Sequence, residues 1–439
     1  MKKTIALALT LLIAIAAVTA QAKVSEKQEI AIFALGYYGY KIPVEALASI
    51  DVEIQKVFLD LGRFTVIGMD KRFSSNDVNE FISLIKKAKE ENFVMPEKYR
   101  FGEEVFTKED FNRLIGAFII VIPVVTSYDS QFNKSRNQYE TNIKTSITFI
   151  EAATGNMIGV ADVETSGTSK ETQFKSIKSA IDSIPGLLQY EIRKISQFQN
   201  QTKVVSSKFG SITMLLGQNM GVKKGDEYAI IVTENVEGYT NEREVGLIKI
   251  KDVGTTSSEG IVLYSDVKVD KDTQLREIPR PEGEASLYAH LVSFDDNSSS
   301  DGSIAVGLKI SLTRGYFGLM PYAFAQITFD EPKGYPIGFG VGGEYAIYLG
   351  RLELAARVGL AGSSCVLITW LQDAFSNSDD TYFTHYGLNA GAYVSWLLSR
   401  DTKIYASLQY DLMLGLLDGL GELFNSFSAT SIGLGVTFK

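Results

Sequence analysis

Apolar and polar side chains alternate with a period of two along the C-terminal third of the chain, residues 285 to 438. Between residues 403 and 414, for example, one face would carry Ile404, Ala406, Leu408, Tyr410, Leu412 and Leu414, and the other Lys403, Tyr405, Ser407, Gln409 and Asp411. Because successive side chains of a β-strand point to opposite sides, each such segment predicts a strand with one apolar face. A soluble sandwich can also alternate, but it would not repeat the pattern over eight segments whose connections are short at one end and long at the other.

These segments predict an eight-stranded antiparallel transmembrane β-barrel in residues 285–439. We place its strands near 285–294, 303–313, 316–329, 337–348, 352–361, 385–398, 403–414 and 429–438. An even number of strands puts both ends of the barrel on the same side of a membrane. The chain is therefore expected in the cell outer membrane, with outer-membrane lipid around the barrel and residues 23–280 in the periplasm.

The first residues predict export of the chain. Lys2 and Lys3 precede an apolar run, and residues 20 to 22 read Ala-Gln-Ala, the small-x-small pattern of a secretory cleavage site, so residues 1–22 are predicted to be a signal peptide. A single cysteine, Cys365, excludes an internal disulfide framework. The net charge of −9 argues against nucleic acid as a partner, because phosphate binding requires clustered Lys and Arg.

Residues 23–200 predict a domain of helices and strands. Two strand-helix units come first, with apolar residues at helical spacing in each helix. Three longer strands follow, and then a helical pattern that is interrupted near Pro185. The order βαβαβββα predicts an α+β fold.

Three stretches of this α+β domain resemble a known family. Residues 62–67 (Gly-Arg-Phe-Thr-Val-Ile), the turn at 151–156 (Glu-Ala-Ala-Thr-Gly-Asn) and residues 164–167 (Glu-Thr-Ser-Gly) are similar to the periplasmic domain of CsgG-like curli-assembly proteins. The same plan occurs in TolB N-terminal domains and in the middle domain of flagellar FlgT proteins. The resemblance implies periplasmic or other envelope proteins as partners. Unlike the curli channel, this chain has no cysteine directly after the predicted cleavage site.

Residues 203–280 predict a small all-β domain. Gly221 and Gly225 precede an apolar strand and lie where tight turns require positive φ, and further strands follow near 245–253 and 259–264. The segment resembles the SH3-like barrel at the C-terminus of FlgT proteins. A phosphate-binding loop is the alternative for these glycines, but such a loop requires a Lys-Ser or Lys-Thr pair at the start of a helix, which the sequence lacks.

The polar face of the predicted barrel strands carries charged side chains, which we expect to point into the lumen. The lumen of an eight-stranded barrel is just wide enough to be filled by side chains. We therefore predict a packed ion network, rather than a proton or ion path, formed by Lys309, Glu344, Glu353, Arg357 and Asp411. The opposite face is apolar and would contact lipid, where a charge costs about 2–4 kcal/mol at mid-membrane.

The last predicted strand carries a further pattern. Gly433, Val436 and Phe438 resemble the C-terminal signal read by the outer-membrane barrel-insertion machinery, although Lys439 follows the aromatic residue here. The barrel as a whole is similar to small proteins of the OmpA, OmpX and OmpW type. The resemblance implies the insertion machinery as a partner.

The sequence predicts no catalytic site, metal site or cofactor. Its two histidines, His290 and His385, lie far apart, and no Ser-His-acid arrangement can be argued from spacing. We therefore expect the protein not to be an enzyme.

One functional hypothesis is preferred over two alternatives. The preferred one is a non-enzymatic outer-membrane anchor whose periplasmic arm binds envelope proteins in an assembly or secretion structure, as the curli and flagellar resemblance implies. A small porin or hydrophobic-compound channel is the first alternative. A surface adhesin is the second, since two of the predicted outer loops carry apolar residues that would suit a hydrophobic-ligand entrance or a contact surface for a host or neighbouring protein. The same loops are acidic and would repel anionic glycans. The sequence leaves the oligomeric state open.

Overall fold

A computed structural model describes residues 24–38, 41–67, 78–88, 98–101, 104–107, 119–236, 239–294, 302–329, 336–364, 383–415 and 427–439. Its strands are β1 (Gln28–Ile32), β2 (Gly36–Tyr37), β3 (Phe64–Ile67), β4 (Lys98–Phe101), β5 (Glu104–Thr107), β6 (Ile119–Asn133), β7 (Gln138–Glu151), β8 (Met157–Ser169), β9 (Gln201–Lys208), β10 (Ser211–Met214), β11 (Glu227–Val236), β12 (Tyr239–Val253), β13 (Ser258–Ser265), β14 (Gln274–Ile278), β15 (Gly283–Phe294), β16 (Ser303–Leu312), β17 (Leu319–Phe329), β18 (Ile337–Leu349), β19 (Leu352–Ser364), β20 (Phe383–Leu397), β21 (Thr402–Gly415) and β22 (Phe427–Phe438). Its helices are α1 (Val44–Asp60), α2 (Val78–Ala88), α3 (Gln173–Asp182) and α4 (Ile184–Lys194). The predicted signal peptide, Cys365 and most of the predicted outer loops lie outside the described residues.

The first part of the structure is a mixed sheet covered by helices. Its strands lie in the order β3-β1-β6-β7-β8, with β2 also paired to β6. Strand β1 runs parallel to β3 and β6, whereas β6, β7 and β8 are antiparallel. Helices α1, α3 and α4 share one core with alternate residues of the sheet, through side chains such as Phe58, Ile177 and Leu188. Burial of each such side chain stabilises the fold by roughly 1.5–3 kcal/mol. Within the described ranges, no helix combines the length and the apolar composition needed to cross a membrane.

The second part is a closed six-stranded barrel with the strand order β10-β13-β12-β11-β14-β9. Strands β11, β12 and β13 correspond to the strands predicted from the sequence, whereas β9, β10 and β14 have no predicted counterpart. Strands β10 and β14 are only four and five residues long, too short for an alternation to be recognised. Gly221 and Gly225 have φ values of 73° and 80°, so the prediction of positive φ is confirmed.

The third part is a closed eight-stranded antiparallel barrel, and this prediction is confirmed. Strands β15 to β22 pair in sequence order, and β22 pairs back to β15. Each predicted strand overlaps its observed counterpart. We call the end where β15 begins and β22 finishes the proximal end, and the opposite end the distal end. The three connections at the proximal end are short, at residues 313–318, 350–351 and 398–401.

Burial alternates along the barrel strands as the sequence pattern requires. In β16 the outward side chains, such as Leu308 and Ile310, are about half exposed, whereas the inward ones are buried. All charged side chains of the described barrel strands are buried, namely Glu284, Lys309, Glu344, Glu353, Arg357, Lys403 and Asp411. The described part of the outer wall is therefore a belt without charge.

Side chains fill the interior of this barrel. Inward glycines leave room for aromatic rings, since a Cβ at Gly435 would lie 2.3 Å from Cζ of Tyr405. The hydroxyl of Tyr288 donates to Gln326 Oε1 at 3.1 Å, so at least one ring also has its polar atom satisfied. The interior is therefore packed in the manner of a protein core.

The substitution Gly435→Val tests this packing. The added side chain would collide with the ring of Tyr405, and overpacking of a filled interior costs about 1–3 kcal/mol. We expect a lower urea midpoint for the barrel and less of the compact form on unheated SDS gels. Gly302→Val is the matched control, because nothing lies within 4 Å of a Cβ at that position. An equal effect of both changes would contradict a packed interior.

Candidate functional site: the buried ionic junction

Charged side chains from all three parts meet around the six-stranded barrel. We call this cluster the ionic junction, and it comprises Arg63, Arg193, Asp226, Glu227, Lys249, Glu277, Arg280, Glu284, Arg314, Glu353, Lys403 and Lys439. None of these side chains is more than 12% exposed. Because burial of a charge is costly unless the charge is paired, the geometry of each pair matters.

Glu277, on β14, joins the six-stranded barrel to the mixed-sheet domain. Arg63 donates from Nη1 and Nη2 to its two carboxylate oxygens at 2.7 and 3.2 Å, and Arg193 donates from Nε at 2.6 Å. The backbone N–H of Asn200 adds a fourth hydrogen bond at 3.0 Å. Burial alone would raise the pKa of Glu277, but the charges of Arg63 and Arg193 hold this pKa well below the ordinary glutamate value. The carboxylate is therefore ionised at neutral pH.

Asp226 connects all three parts. Its Oδ1 accepts a hydrogen bond from Arg193 Nη2 of α4 at 3.3 Å, and another from Arg314 Nε, in the turn between β16 and β17, at 2.8 Å. Its Oδ2 accepts the backbone N–H of Lys223 at 2.8 Å, which fixes the carboxylate in place. A single side chain thus holds a helix of the first part and a turn of the third.

Glycine allows the backbones to approach closely at this junction. A Cβ at Gly225 would lie 2.1 Å from Tyr316 O and 2.2 Å from Thr313 O, in the turn between β16 and β17. A Cβ at Gly221 would lie 1.9 Å from Leu61 O, at the end of α1. Both glycines therefore combine a positive φ with a contact between parts of the structure that no larger residue would permit.

The six-stranded barrel covers the proximal mouth of the eight-stranded barrel. Lys249, on β12, is buried, and its Nζ donates at 3.0 Å to the hydroxyl of Tyr348, near the proximal end of β18. An apolar cluster seals the contact beside them, formed by Ala229, Ile231, Leu247, Leu263 and Ile278 of the six-stranded barrel and Leu397 of the eight-stranded barrel. Protein atoms therefore occupy the mouth.

Lysines and glutamates are paired inside this mouth. Lys403 Nζ lies 2.7 Å from a carboxylate oxygen of Glu284 and 3.1 Å from one of Glu353. Lys439 Nζ lies 2.6 Å from Glu227 Oε1. Burial alone would raise the pKa of Glu227, but nearby cations, Lys439 foremost, lower it, so this carboxylate is also ionised at neutral pH.

Further contacts surround the mouth. Arg280, in the connection between the two barrels, donates to Glu227 at 3.0 Å and also contacts Asp401. The Arg351 guanidinium lies 3.8 Å from the ring centroid of Tyr264, which places the end of β13 against the turn between β18 and β19. Arg400, in the turn between β20 and β21, donates from Nη1 to Glu244 of β12 at 2.7 Å. The six-stranded barrel thus contacts all three proximal turns of the larger barrel, including that of Arg314.

The structure places the five residues of the predicted ion network inside the barrel, in two groups. In the proximal group, Lys309 Nζ lies 2.5 Å from Glu344 Oε1. The hydroxyl of Tyr393 links this pair to Glu353, at 2.9 Å from Glu344 and 3.3 Å from Glu353. The ammonium group of Lys403 is the direct ion partner of Glu353, and it was not part of the predicted network.

The second group of the predicted network is connected through an amide. Arg357 donates to Gln409 Oε1, and Gln409 Nε2 donates to Asp411 Oδ2 at 2.7 Å. Asn389 also donates to Asp411. Arg357 and Asp411 are therefore linked through Gln409 rather than by a direct ion pair.

Most of the ionic junction was missed by sequence reasoning, because its charged residues stand beside other charged residues. Arg193 precedes Lys194, and Glu277 follows Arg276, so neither interrupts an apolar run that would indicate burial. The partner cannot be read from the sequence, because Arg63 and Glu277 are 214 positions apart.

The two histidines are buried in the barrel and engage different residues. His290 Nε2 lies 2.9 Å from Ser407 Oγ, and the ring of His385 lies edge-on to Phe427 with centroids 5.1 Å apart. In the part of the chain that the structure describes, no group of His, Cys, Asp and Glu could hold a metal ion.

The residues of the predicted insertion signal lie in β22. Phe438 is half exposed on the outer wall, and Val436, on the same face of the strand, is partly exposed. Gly433 lies on the inner face, where a Cβ would come 2.1 Å from His290 Cδ2. Recognition by the insertion machinery stays a prediction.

Comparisons with known proteins give structural neighbours only. No family model matches the chain, and no curated relative matches it. The chain is similar to Neisserial surface protein A, with 13% identity and a TM-score of 0.26 over 36% of this chain and 97% of that one. It is similar to a de novo designed transmembrane β-barrel, with 15% identity and a TM-score of 0.21 over 36% of this chain and 98% of that one. It is also similar to OmpT, an outer membrane protein of Vibrio cholerae, with 7% identity and a TM-score of 0.16 over 73% of this chain and 95% of that one. The strand pairing described above defines the barrel independently of these neighbours.

Docking of the mixed-sheet domain should depend on the charge of Glu277. Because its pKa is lowered by folding, its contribution to stability is complete above the ordinary value of 4.5 and is lost as the pH falls below it. Glu277→Gln leaves the buried Arg63 without a carboxylate and Arg193 with Asp226 alone, and it should cost about 3–5 kcal/mol at neutral pH. Thermal unfolding of the detergent-solubilised chain from neutral pH down to about pH 2 measures both effects, because in the folded chain this carboxylate stays ionised well below its ordinary pKa.

Glu164→Gln is the matched control for this prediction. Glu164 pairs with Lys144 on the surface, where its side chain is 63% exposed, so its loss should change the free energy of unfolding by less than about 1 kcal/mol. The Glu277→Gln variant should also lose part of the acid sensitivity of the wild type. Wild-type melting and pH dependence in that variant would show that the pair does not hold the domains together.

Proposed function

We propose that this protein is a non-enzymatic outer-membrane anchor that holds a rigid periplasmic arm for binding other envelope proteins in an assembly or secretion structure. The eight-stranded barrel would span the membrane, and the mixed-sheet domain and the six-stranded barrel would form the arm. The resemblance of these two parts to CsgG-like and FlgT-type domains, the latter SH3-like, implies this class of partner.

The ionic junction is the observation that carries the proposal. Glu277 joins the two parts of the arm to each other, and Asp226 joins them to the eight-stranded barrel. Glu227 of the arm pairs with Lys439, which follows the last barrel strand, and with Arg280, in the connection between the two barrels. Any hinge motion between these parts would separate buried charges, and breaking one such pair costs about 3–5 kcal/mol. An arm fixed in this way supports a role in positioning partners at the membrane.

The charge-free outer belt supports the membrane location. Leu291, Leu360, Leu434 and other outward side chains of the described strands are more than half exposed, in contrast to the scattered apolar residues of ordinary protein surfaces. Lipid would cover this surface at no desolvation cost.

The substitution Leu308→Arg tests whether the belt faces lipid. Leu308 lies in the middle of β16 and is 55% exposed, and a charge there would cost about 2–4 kcal/mol in a membrane. We expect a smaller folded fraction after refolding into lipid vesicles. Leu59→Arg, at a residue of α1 that is 52% exposed, provides the same chemistry in the arm and should be nearly neutral. If both variants fold equally well, the belt does not contact lipid.

Photo-crosslinking in intact cells tests partner binding by the arm. A groove of about 660 Å³ lies between α1 and α3 and includes the exposed residues Val52 and Phe174. A photo-reactive residue at either position should give adducts with envelope proteins, identified by mass spectrometry. The same residue at Leu434, on the outer wall, should not give these adducts.

The channel alternative makes a different prediction for the same protein. A porin would give steady single-channel conductance in planar bilayers and no specific adducts from the arm. The occupied proximal mouth favours the anchor, since ions would have to displace Lys249 and the apolar cluster around Leu397. Steady conductance without adducts from the arm would contradict the anchor proposal and favour the channel.

A further inference from the structure

The tip of the hairpin formed by β9 and β10 carries a fully exposed aromatic side chain. Phe209 and Gly210 form this tip, and the relative exposure of Phe209 is 109%, the highest among the exposed large apolar residues of the described chain. A single exposed apolar residue is ordinary on a protein surface, but burial of an aromatic ring is among the larger apolar gains available to a protein, so the backbone and the location of this ring decide whether it has a role.

The backbone of Phe209 adds to this anomaly. Its φ of 49° lies in the left-handed region, which suits Gly and Asn in tight hairpin turns and costs free energy for a bulky residue. Asn137, in the hairpin formed by β6 and β7, has the same φ of 49° and is the residue type expected there. The chain thus places a strained aromatic residue where asparagine would fold more easily.

The hairpin tip points towards the proximal rim of the eight-stranded barrel. The carbonyl of Gly210 accepts the backbone N–H of Val262 at 2.8 Å. The next residue, Leu263, touches the rim, because a Cβ at Gly350 would lie 3.5 Å from its carbonyl oxygen. Leu349, which directly precedes Gly350, is 57% exposed and belongs to the outer belt. The tip therefore lies beside the proximal edge of the surface assigned to lipid.

We propose that Phe209 inserts into the adjacent membrane interface and forms a second attachment of the arm to lipid, an inference that rests on the membrane location proposed above. Aromatic side chains at the level of the headgroups are typical anchors of membrane proteins and of interfacial segments. Lys208, exposed next to it, would extend its ammonium group towards lipid phosphates. The free energy of inserting the ring offsets the strain at the turn.

Site-specific fluorescence quenching in vesicles of phosphatidylethanolamine and phosphatidylglycerol tests this inference. An environment-sensitive label is attached to Phe209→Cys in the full chain, in a Cys365→Ser background so that it has one target. Leu187→Cys, at a residue of α4 that is 45% exposed, is the control in the arm, and Leu308→Cys is the control in the belt. We expect lipid-borne nitroxide to quench the label at 209 at least about threefold more than the label at 187, and water-borne iodide to show the reverse order.

The three labels separate the possible failures. If the label at 308 is quenched by lipid and the label at 209 behaves like the one at 187, the insertion of Phe209 is wrong while the membrane location stands. If the label at 308 is not quenched by lipid either, the proposed membrane location fails and this inference fails with it.

A second pair of variants tests the strain. Phe209→Gly relieves the strained φ, so the melting temperature of the chain in detergent should not fall. In the same vesicles, however, trypsin should cleave at Lys208 severalfold faster than in the wild type, because the tip would leave the interface. Asn137→Gly is the matched control with the same φ, and it should leave cleavage at Lys208 unchanged. Equal cleavage of Phe209→Gly and the wild type in vesicles would overturn the proposal.

Discussion

A carboxylate buried beside two arginines is the interaction on which the arrangement of this protein depends. Glu277 belongs to the six-stranded barrel, whereas Arg63 and Arg193 belong to the mixed-sheet domain. Removal of any one of them takes a partner from a buried charge, and such a loss in a protein interior costs several kcal/mol. Asp226 forms a buried pair of the same kind with Arg314, in the turn between β16 and β17. These buried pairs therefore fix the positions of the three parts relative to one another, in addition to the apolar core that stabilises each part.

The two faces of the eight-stranded barrel carry side chains of opposite character. Its outward positions are apolar, whereas its inward positions combine tyrosines with charged residues that pair with each other, as Lys309 does with Glu344. Glycines such as Gly435 make the space that the rings fill. At the proximal mouth this polar packing continues into the arm through Lys249. The polar side chains inside the barrel thus also form the contact with the arm, as expected for the proposed anchor.

The sequence predicted those features that depend on local periodicity. Strand β21 was found because its alternation continues over fourteen residues, whereas β10 has only four. The inward direction of Arg357 followed from the same alternation, but its contact with Gln409 did not, because the partner depends on strand register and on the tilt of the barrel. The pair of Arg63 and Glu277 joins residues 214 positions apart, and no single-sequence pattern contains that information.

The position of Lys439 links the closing strand of the barrel to the arm. Strand β22 completes the barrel by pairing with both β21 and β15, and Lys439 follows it directly. Its ammonium group reaches Glu227 only when this closing strand is in register. Until then Glu227 has Arg280 as an ion partner but not Lys439. A cylinder whose last strand has slipped out of register would leave the arm without this contact, so the register of that strand bears directly on how firmly the arm is held.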